Sequence, residues 1–164
     1  MAISSVAKTN IDGTLLGQDG AATPLDVTVE YEDGDFSLDG VSEHQAEVLK
    51  FLDRGRLYSV RKGNDNWPTY SFSAHVTDIS DATDETIWDF VNGTAAFSTF
   101  TSTYSANADI NTCKWTLTIE GTDHGDGADH TIVMDDCTMS IAFAEGQPDK
   151  VTISGEVLGT ITAT

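Results

Sequence analysis

Apolar and polar residues alternate with a period of two along most of this chain, most regularly between Asn111 and Gly155. Cys113, Trp115, Leu117 and Ile119 alternate with Lys114, Thr116, Thr118 and Glu120, which places the two sets on opposite faces of a strand. The run GTDHGDGAD at 121–129 has three glycines and no apolar side chain larger than alanine, so it reads as a loop. From Thr131 to Ala144 the strand pattern resumes, with Cys137, Met139, Ile141 and Phe143 sharing a face. EGQPD (145–149) turns the chain again, and Val151, Ile153 and Val157 follow. The stretch therefore predicts three antiparallel strands.

Earlier in the chain, Asp12-Gly13 and Asp19-Gly20 bracket a short strand at Thr14 to Leu16. Leu25, Val27, Val29 and Tyr31 face one way, and Asp26, Thr28 and Glu30 the other. EDGD (32–35) is a turn, and Phe36 to Leu38 a brief strand. Val41 to Lys62 has two readings. Ser42 with Gln45 forms a possible capping box ahead of a helical stripe at Ala46, Val48, Leu49 and Leu52. Against it, DRGR (53–56) is turn chemistry and Leu57 to Arg61 alternates, so a hairpin with strands near 46–52 and 56–62 is preferred. Gly63 to Asn66 reads as a loop closed by Trp67-Pro68, and Tyr70 to Ile79 as a strand. One helix is predicted over 81–92, capped by Asp81 or Thr83, with Asp84 and Glu85 in its first turn. Ile87, Phe90 and Val91 form its buried stripe, and Gly93 occupies the left-handed C′ position. Ala95 to Ala106, rich in Ser, Thr and aromatics, predicts another strand. The fold class is mainly β: an antiparallel β-sandwich or barrel with one flanking α-helix at about 81–92.

A chain of 164 residues builds one domain with a sizeable core, here 1–164, with 1–10 expected to be an arm that orders on assembly. The same expectation covers 32–45 and 121–130. No run approaches the ~18 apolar residues of a membrane helix, and no signal peptide is legible at the N-terminus, which points to synthesis in a cytoplasm. The formal net charge is −19, against the basic footprint that nucleic-acid binding needs. Five of the eight basic residues, Lys50, Arg54, Arg56, Arg61 and Lys62, fall within thirteen positions. In so acidic a chain, this strip reads either as a docking surface for an acidic partner, another copy included, or as a set of local ion pairs.

Candidate chemistry is sparse. Asp123, His124, Asp126, Asp129 and His130 crowd one loop, but their spacing matches neither an EF-hand nor a zinc pair, so a solvated hairpin tip is preferred over a calcium site. Asp135 and Asp136 alternate along a strand and point to opposite faces. No nucleophile elbow, phosphate loop or C-x-x-C pair occurs; the expectation is no catalysis, no cofactor and no metal. Trp67, Trp88 and Trp115 suit either a sugar-binding face or packing in a core or interface. Cys113 and Cys137, nearly symmetric about the 121–130 loop, are expected to be cross-strand neighbours and reduced, buried thiols.

Several collinear segments resemble the major tail tube proteins of long-tailed bacteriophages. They are DGAATP, LDVTVEYEDGDFS, FLDRGRLYSVRKGNDNWPTYSFSAHVTD, ISDATDETIWDFVNG and the region from ANADINTCKWTLTIEGTDHGD to ISGEVLGTI. Together they span about residues 11–162. The resemblance implies hexameric rings stacked into a tube, each subunit lending strands to a continuous inner barrel. It implies a structural virion component made in the host bacterial cytoplasm, with copies of itself and other tail proteins at the tube ends as partners. It leans to a non-contractile tail. DNA would pass through such a conduit without specific binding, and an acidic wall that repels phosphate suits this use. The charge contrast then places Lys50, Arg54, Arg56, Arg61, Lys62, Asp123, His124 and Asp126 at contacts between subunits or rings. Two other readings remain: another phage structural β-protein, such as a head decoration or tail-tip module, and a carbohydrate- or calcium-binding β module.

Overall fold

The computed structural model describes residues 13–29, 35–41, 46–76, 78–79, 82–106, 109–119, 127–146 and 149–164. The loop residues Asp123, His124 and Asp126, the N-terminal arm 1–10 and the Ser42/Gln45 pair lie outside the described residues.

The strands, in chain order, are β1 (Thr14–Gln18), β2 (Asp26–Val29), β3 (Ser37–Asp39), β4 (Ala46–Asp53), β5 (Arg56–Asp65), β6 (Thr69–His75), β7 (Thr112–Ile119), β8 (His130–Thr138), β9 (Ser140–Ala144), β10 (Lys150–Glu156) and β11 (Ile161–Ala163). They form a five-stranded sheet in the order β11-β8-β7-β1-β2, a four-stranded sheet β3-β6-β10-β9 and a two-stranded sheet β4-β5. All pairings are antiparallel. The first two sheets pack face to face as a sandwich. Leu15, Val27, Val29, Cys113, Trp115, Leu117, Met134 and Cys137 of one sheet bury against Tyr70, Phe72, Ala74, Val151 and Ile153 of the other.

Trp115 is the centre of this core. Its ring meets Phe72 edge-on at a centroid distance of 5.2 Å and lies 5.5 Å from Phe90. Such tilted and edge-to-face pairs are the favoured geometry for large buried rings. Gly17 sits opposite Trp115 on β1. A Cβ there would meet the indole at 2.5 Å, so the absence of a side chain at 17 is what lets the ring lie over the strand.

The helix α1 (Ile87–Asn92) touches β2 and β9, the edge strands of the two sheets, and so closes one side of the sandwich. It is shorter than the expected 81–92. Thr86 is its N-cap, extended at φ −111° and ψ 147°, with Oγ1 accepting the Asp89 N–H. Asp84 and Glu85 therefore precede the helix, and the first-turn carboxylate is Asp89, which accepts hydroxyl bonds from Thr86 and Thr94 at 2.8 Å each. Gly93 does adopt the left-handed C′ conformation, at φ 62°. A six-residue helix is unstable alone; Phe90, fully buried against Phe97 and Phe100, holds it.

Ala95 to Ala106 is not a strand. It opens with a 3₁₀ turn, Ala95–Phe97, because Phe97 and Phe100 are three apart and both reach Phe90 only from a turn. The segment is then tied down by Thr112, whose Oγ1 accepts the Tyr104 N–H and bonds the hydroxyls of Ser102 and Thr103. Two further expectations on the strands change. Gly63 to Asp65 belong to β5 rather than to a loop: Ala46 pairs with Asp65 and Val48 with Lys62, so a bulge at Gly63-Asn64 absorbs one extra residue. The strand expected at Tyr70 to Ile79 ends at His75.

The stretch 111–155 holds four strands, not three. Cys113 pairs with Cys137, but Trp115 pairs with Met134, so three residues of β8 span two of β7. The extra residue is housed by a bulge at Asp135-Asp136, with Asp136 at φ 53°. Met134 and Cys137 thereby both enter the core. The chain then breaks at Met139 and crosses to the four-stranded sheet as β9, where Ile141 and Phe143 lie opposite the core residues Ile153 and Val151 and so keep the inward direction of Cys137, Phe143 remaining half exposed on the edge strand.

Candidate assembly interface

The hairpin reading of 46–62 holds. Arg54 and Gly55 have φ of 47° and 82°, the double left-handed pair of a two-residue turn whose twist matches its strands. In register, Lys50 lies opposite Val60, Arg61 opposite Leu49, Lys62 opposite Val48, and Arg56 opposite Asp53. Lys62 pairs with Asp65; among the described residues no ion pair involves Lys50, Arg54, Arg56 or Arg61. The local-ion-pair account of the basic strip thus covers one cation of five.

This ribbon is bonded to neither of the other sheets. Val48, Leu49, Phe51, Leu52, Leu57, Tyr58 and Val60 are all exposed along it, Tyr58 to 80%. A lone two-stranded ribbon in water is marginal, and contiguous exposed apolar surface marks a contact face. The arm at 46–65 carries five basic and three acidic residues, a charge of +2, which leaves −21 on the rest of the chain. The sequence pattern located the cations. The apolar content of both faces of the arm was not evident, because each exposed Leu or Val reads in sequence as half of a buried alternation.

Two other surfaces stand out. The middle of the outward face of the four-stranded sheet consists of small side chains, mostly polar, with His75 and Lys150 toward one end and Glu156 toward the other. Ser37, Ser71, Ser154 and Ser140 form one row across all four strands, and Ser73, Thr152 and Ala142 lie in the next. At the root of the arm, Trp67, Tyr104, Ala106, Ile110 and Leu158 line a largely apolar groove of about 340 Å³. Of the three tryptophans, Trp115 is buried and Trp88 half-buried, whereas Trp67 is half exposed. They do not make one aromatic face.

The core also holds the titratable groups with displaced pKa. Cys113 and Cys137 are free and buried side by side. Burial raises the Cys113 thiol well above its usual value, reinforced by Cys137. Burial pushes Cys137 up to about 12, partly offset by a hydrogen bond with the Trp115 backbone. Burial likewise raises Tyr70, whose hydroxyl accepts from Trp115 Nε1 at 3.0 Å and donates to the Thr138 carbonyl at 2.7 Å. Protonated, inaccessible thiols are packing groups rather than nucleophiles or ligands. Among the described residues no three His, Cys, Asp or Glu side chains lie together as a metal site, and no helix is long and apolar enough to cross a membrane.

No protein-family model and no curated protein matches the sequence. Solved structures do match in fold. A chain in the cryo-EM structure of the sheath/tube terminator of an extracellular contractile injection system (PVC) aligns with a TM-score of 0.56 and 10% identity, over 98% of this chain and 99% of that one. A chain of the anti-feeding prophage tube terminating cap aligns at 0.53 and 9%, over 100% and 93%. One from the sixfold-symmetrised anti-feeding prophage baseplate aligns at 0.52 and 8%, over 100% and 97%. This chain has a mainly antiparallel β fold, with one small α-helix among the described residues, similar to that of chains in the tube-terminator, cap and baseplate structures above.

Proposed function

We propose that this protein is a structural component of a phage-type tail, assembling from copies of itself into hexameric rings that stack as a tube. The observation that carries the reading is the β4–β5 arm: a cationic, apolar ribbon projecting from an acidic body, which a neighbouring acidic subunit would both cover and neutralise. The sixfold setting of one structural neighbour supports ring closure. In this reading the Ser/Thr wall of the four-stranded sheet lines the conduit. It offers DNA no arginine or large aromatic ring, with Lys150 and His75 together at one end of the face, and the −19 charge of each subunit repels the phosphates passing along it. Other tail proteins bind the two ends, and the protein resides in the virion tail.

A second reading has a specific support. Two of the neighbours come from a terminator and a cap, which supports a single ring that ends the tube in place of the repeating tube. The contractile setting of the terminator neighbour also weighs against the non-contractile tail implied by the sequence resemblance.

Negative-stain microscopy of concentrated protein separates these cases. Open stacks of rings support the tube, isolated closed rings the terminator, and monomers at every concentration and salt level refute both. Reversing Arg54, Arg56 and Arg61 to glutamate abolishes assembly while leaving the melting temperature of the monomer nearly unchanged, since all three are solvent-exposed. Assembly of this variant at the wild-type level removes the arm from the interface.

A further inference from the structure

We infer that the tip of the arm on one copy seats in the groove at the root of the arm on the next copy. The inference rests on the self-assembly reading above and names the contact that would drive it. The tip is an apolar knob: Leu52 and Leu57 pair across the ribbon, and Tyr58 bulges beside them, all three well exposed. Arg54 in the turn and Arg56 beside it, opposite Asp53, cap its outer end. The groove is its complement. Trp67, Tyr104, Ile110 and Leu158 supply an open apolar floor. Acidic residues neighbour its lining along the chain: Asp136 Oδ2 lies against Gly159, the residue after Leu158, and exposed Glu156 lies two residues before it.

The knob and the groove of one chain are kept apart. The ten residues of β5 span roughly 33 Å at ~3.3 Å per residue. Trp67 follows the root end of that strand, so the tip stands about a full arm length from its own groove. The antiparallel pairing of β4 with β5 over its whole length prevents it from folding back. Another copy is then the occupant that brings an apolar knob and the two cations at the turn to an apolar groove on a body of charge −21. Knob and hole are different patches, so the contact is head-to-tail. Repeated head to tail, such a contact propagates into a closed ring or an open filament, whereas a mutual exchange of arms between two copies would stop at a two-fold dimer. The ring-forming reading above selects the first, and a double variant that links only as dimers would indicate the second.

Engineered cysteines test this, because Cys113 and Cys137 are fully buried and remain silent toward a mild oxidant. Protein carrying Tyr58→Cys is mixed with protein carrying Tyr104→Cys, and with protein carrying Thr162→Cys as an exposed control on β11; melting curves check each variant. The expected result is a disulfide-linked dimer of Tyr58→Cys with Tyr104→Cys at least tenfold above the control. The double variant Tyr58→Cys/Tyr104→Cys should give a ladder of higher oligomers on non-reducing gels. Ile110→Cys in place of Tyr104→Cys should behave alike. Cross-linking no better than the control, in samples whose micrographs show rings or tubes, overturns the knob-and-groove contact and leaves the tail reading standing. A ladder without rings or tubes upholds the contact and removes the tail reading. No cross-link in a monomeric sample removes both.

Discussion

Replacing Tyr70 by phenylalanine removes one oxygen atom from the middle of the core and leaves every ring in place. That oxygen accepts from Trp115 Nε1 at 3.0 Å and donates to the Thr138 carbonyl at 2.7 Å, and both ring systems are almost wholly inaccessible. The stacking of residue 70 on Phe72 and its tilted contact with Trp115 depend on the ring alone and survive. The stranded indole N–H costs about 1–3 kcal/mol, and the lost bond to Thr138 about 1 kcal/mol more. The expected destabilisation is therefore about 3 kcal/mol, which for a chain of this size lowers Tm by about 10 °C. Urea denaturation of dilute, unassembled protein measures it as a fall in midpoint at unchanged m-value. A double-mutant cycle with Trp115→Phe isolates the mechanism: with no indole N–H left to strand, the second loss of the hydroxyl costs at least 1 kcal/mol less. A Tyr70→Phe cost below about 0.5 kcal/mol, or an identical cost in both backgrounds, refutes the hydrogen-bonded relay as a source of stability.

Two further outcomes follow from the same core. Gly155→Ala destabilises by about 3 kcal/mol or more, the upper end of overpacking, because its Cβ would stand 1.8 Å from the Thr138 carbonyl oxygen, a backbone atom with nowhere to move; thermal melting close to wild type contradicts this close approach of β10 to β8. Alkaline pH destabilises the fold through the two thiols. Their folded pKa is raised above the unfolded value of 9.0, so stability is intact below pH 9 and falls as pH climbs from there toward about 12, the value for Cys137. The unfolded chain releases protons in this window that the folded one retains, at up to about 1.4 kcal/mol per pH unit per thiol. Urea midpoints at pH 8, 9 and 10 should fall, and the double variant Cys113→Ala/Cys137→Ala should flatten the slope whatever its absolute stability; an equal slope in both proteins refutes the assignment.

Local chemistry was enough to foresee the hairpin turn at Asp53 to Arg56, the C′ glycine at 93, the neighbouring cysteines and the alternation of β2, β6, β7 and β10. Each depends on a backbone preference or a period that acts within a few residues. The misread segments are those where a distant partner decides. Phe97 and Phe100 leave the strand pattern because Phe90 is what they bury against. The bulge at Asp136 rephases β8 because Met134 and Cys137 must both meet the same core. Helix α1 starts at Ile87 rather than six residues earlier because Thr86 and Thr94 enclose the Asp89 carboxylate.

The assembly surface divides the same way. Its cations were visible as a charge cluster against a strongly acidic background, since charge needs no fold to be counted. The groove was not visible, because Trp67, Tyr104, Ile110 and Leu158 come from three separated parts of the chain and become one floor only when β5, the segment after the 3₁₀ turn and the end of β10 converge. Alternation and turn residues alone thus made this a two-faced antiparallel β protein with a basic hairpin. Only the packing of one sheet on another decided that the hairpin would be left outside, its apolar residues uncovered, since the sandwich interior is already filled by Trp115 and the rings around it.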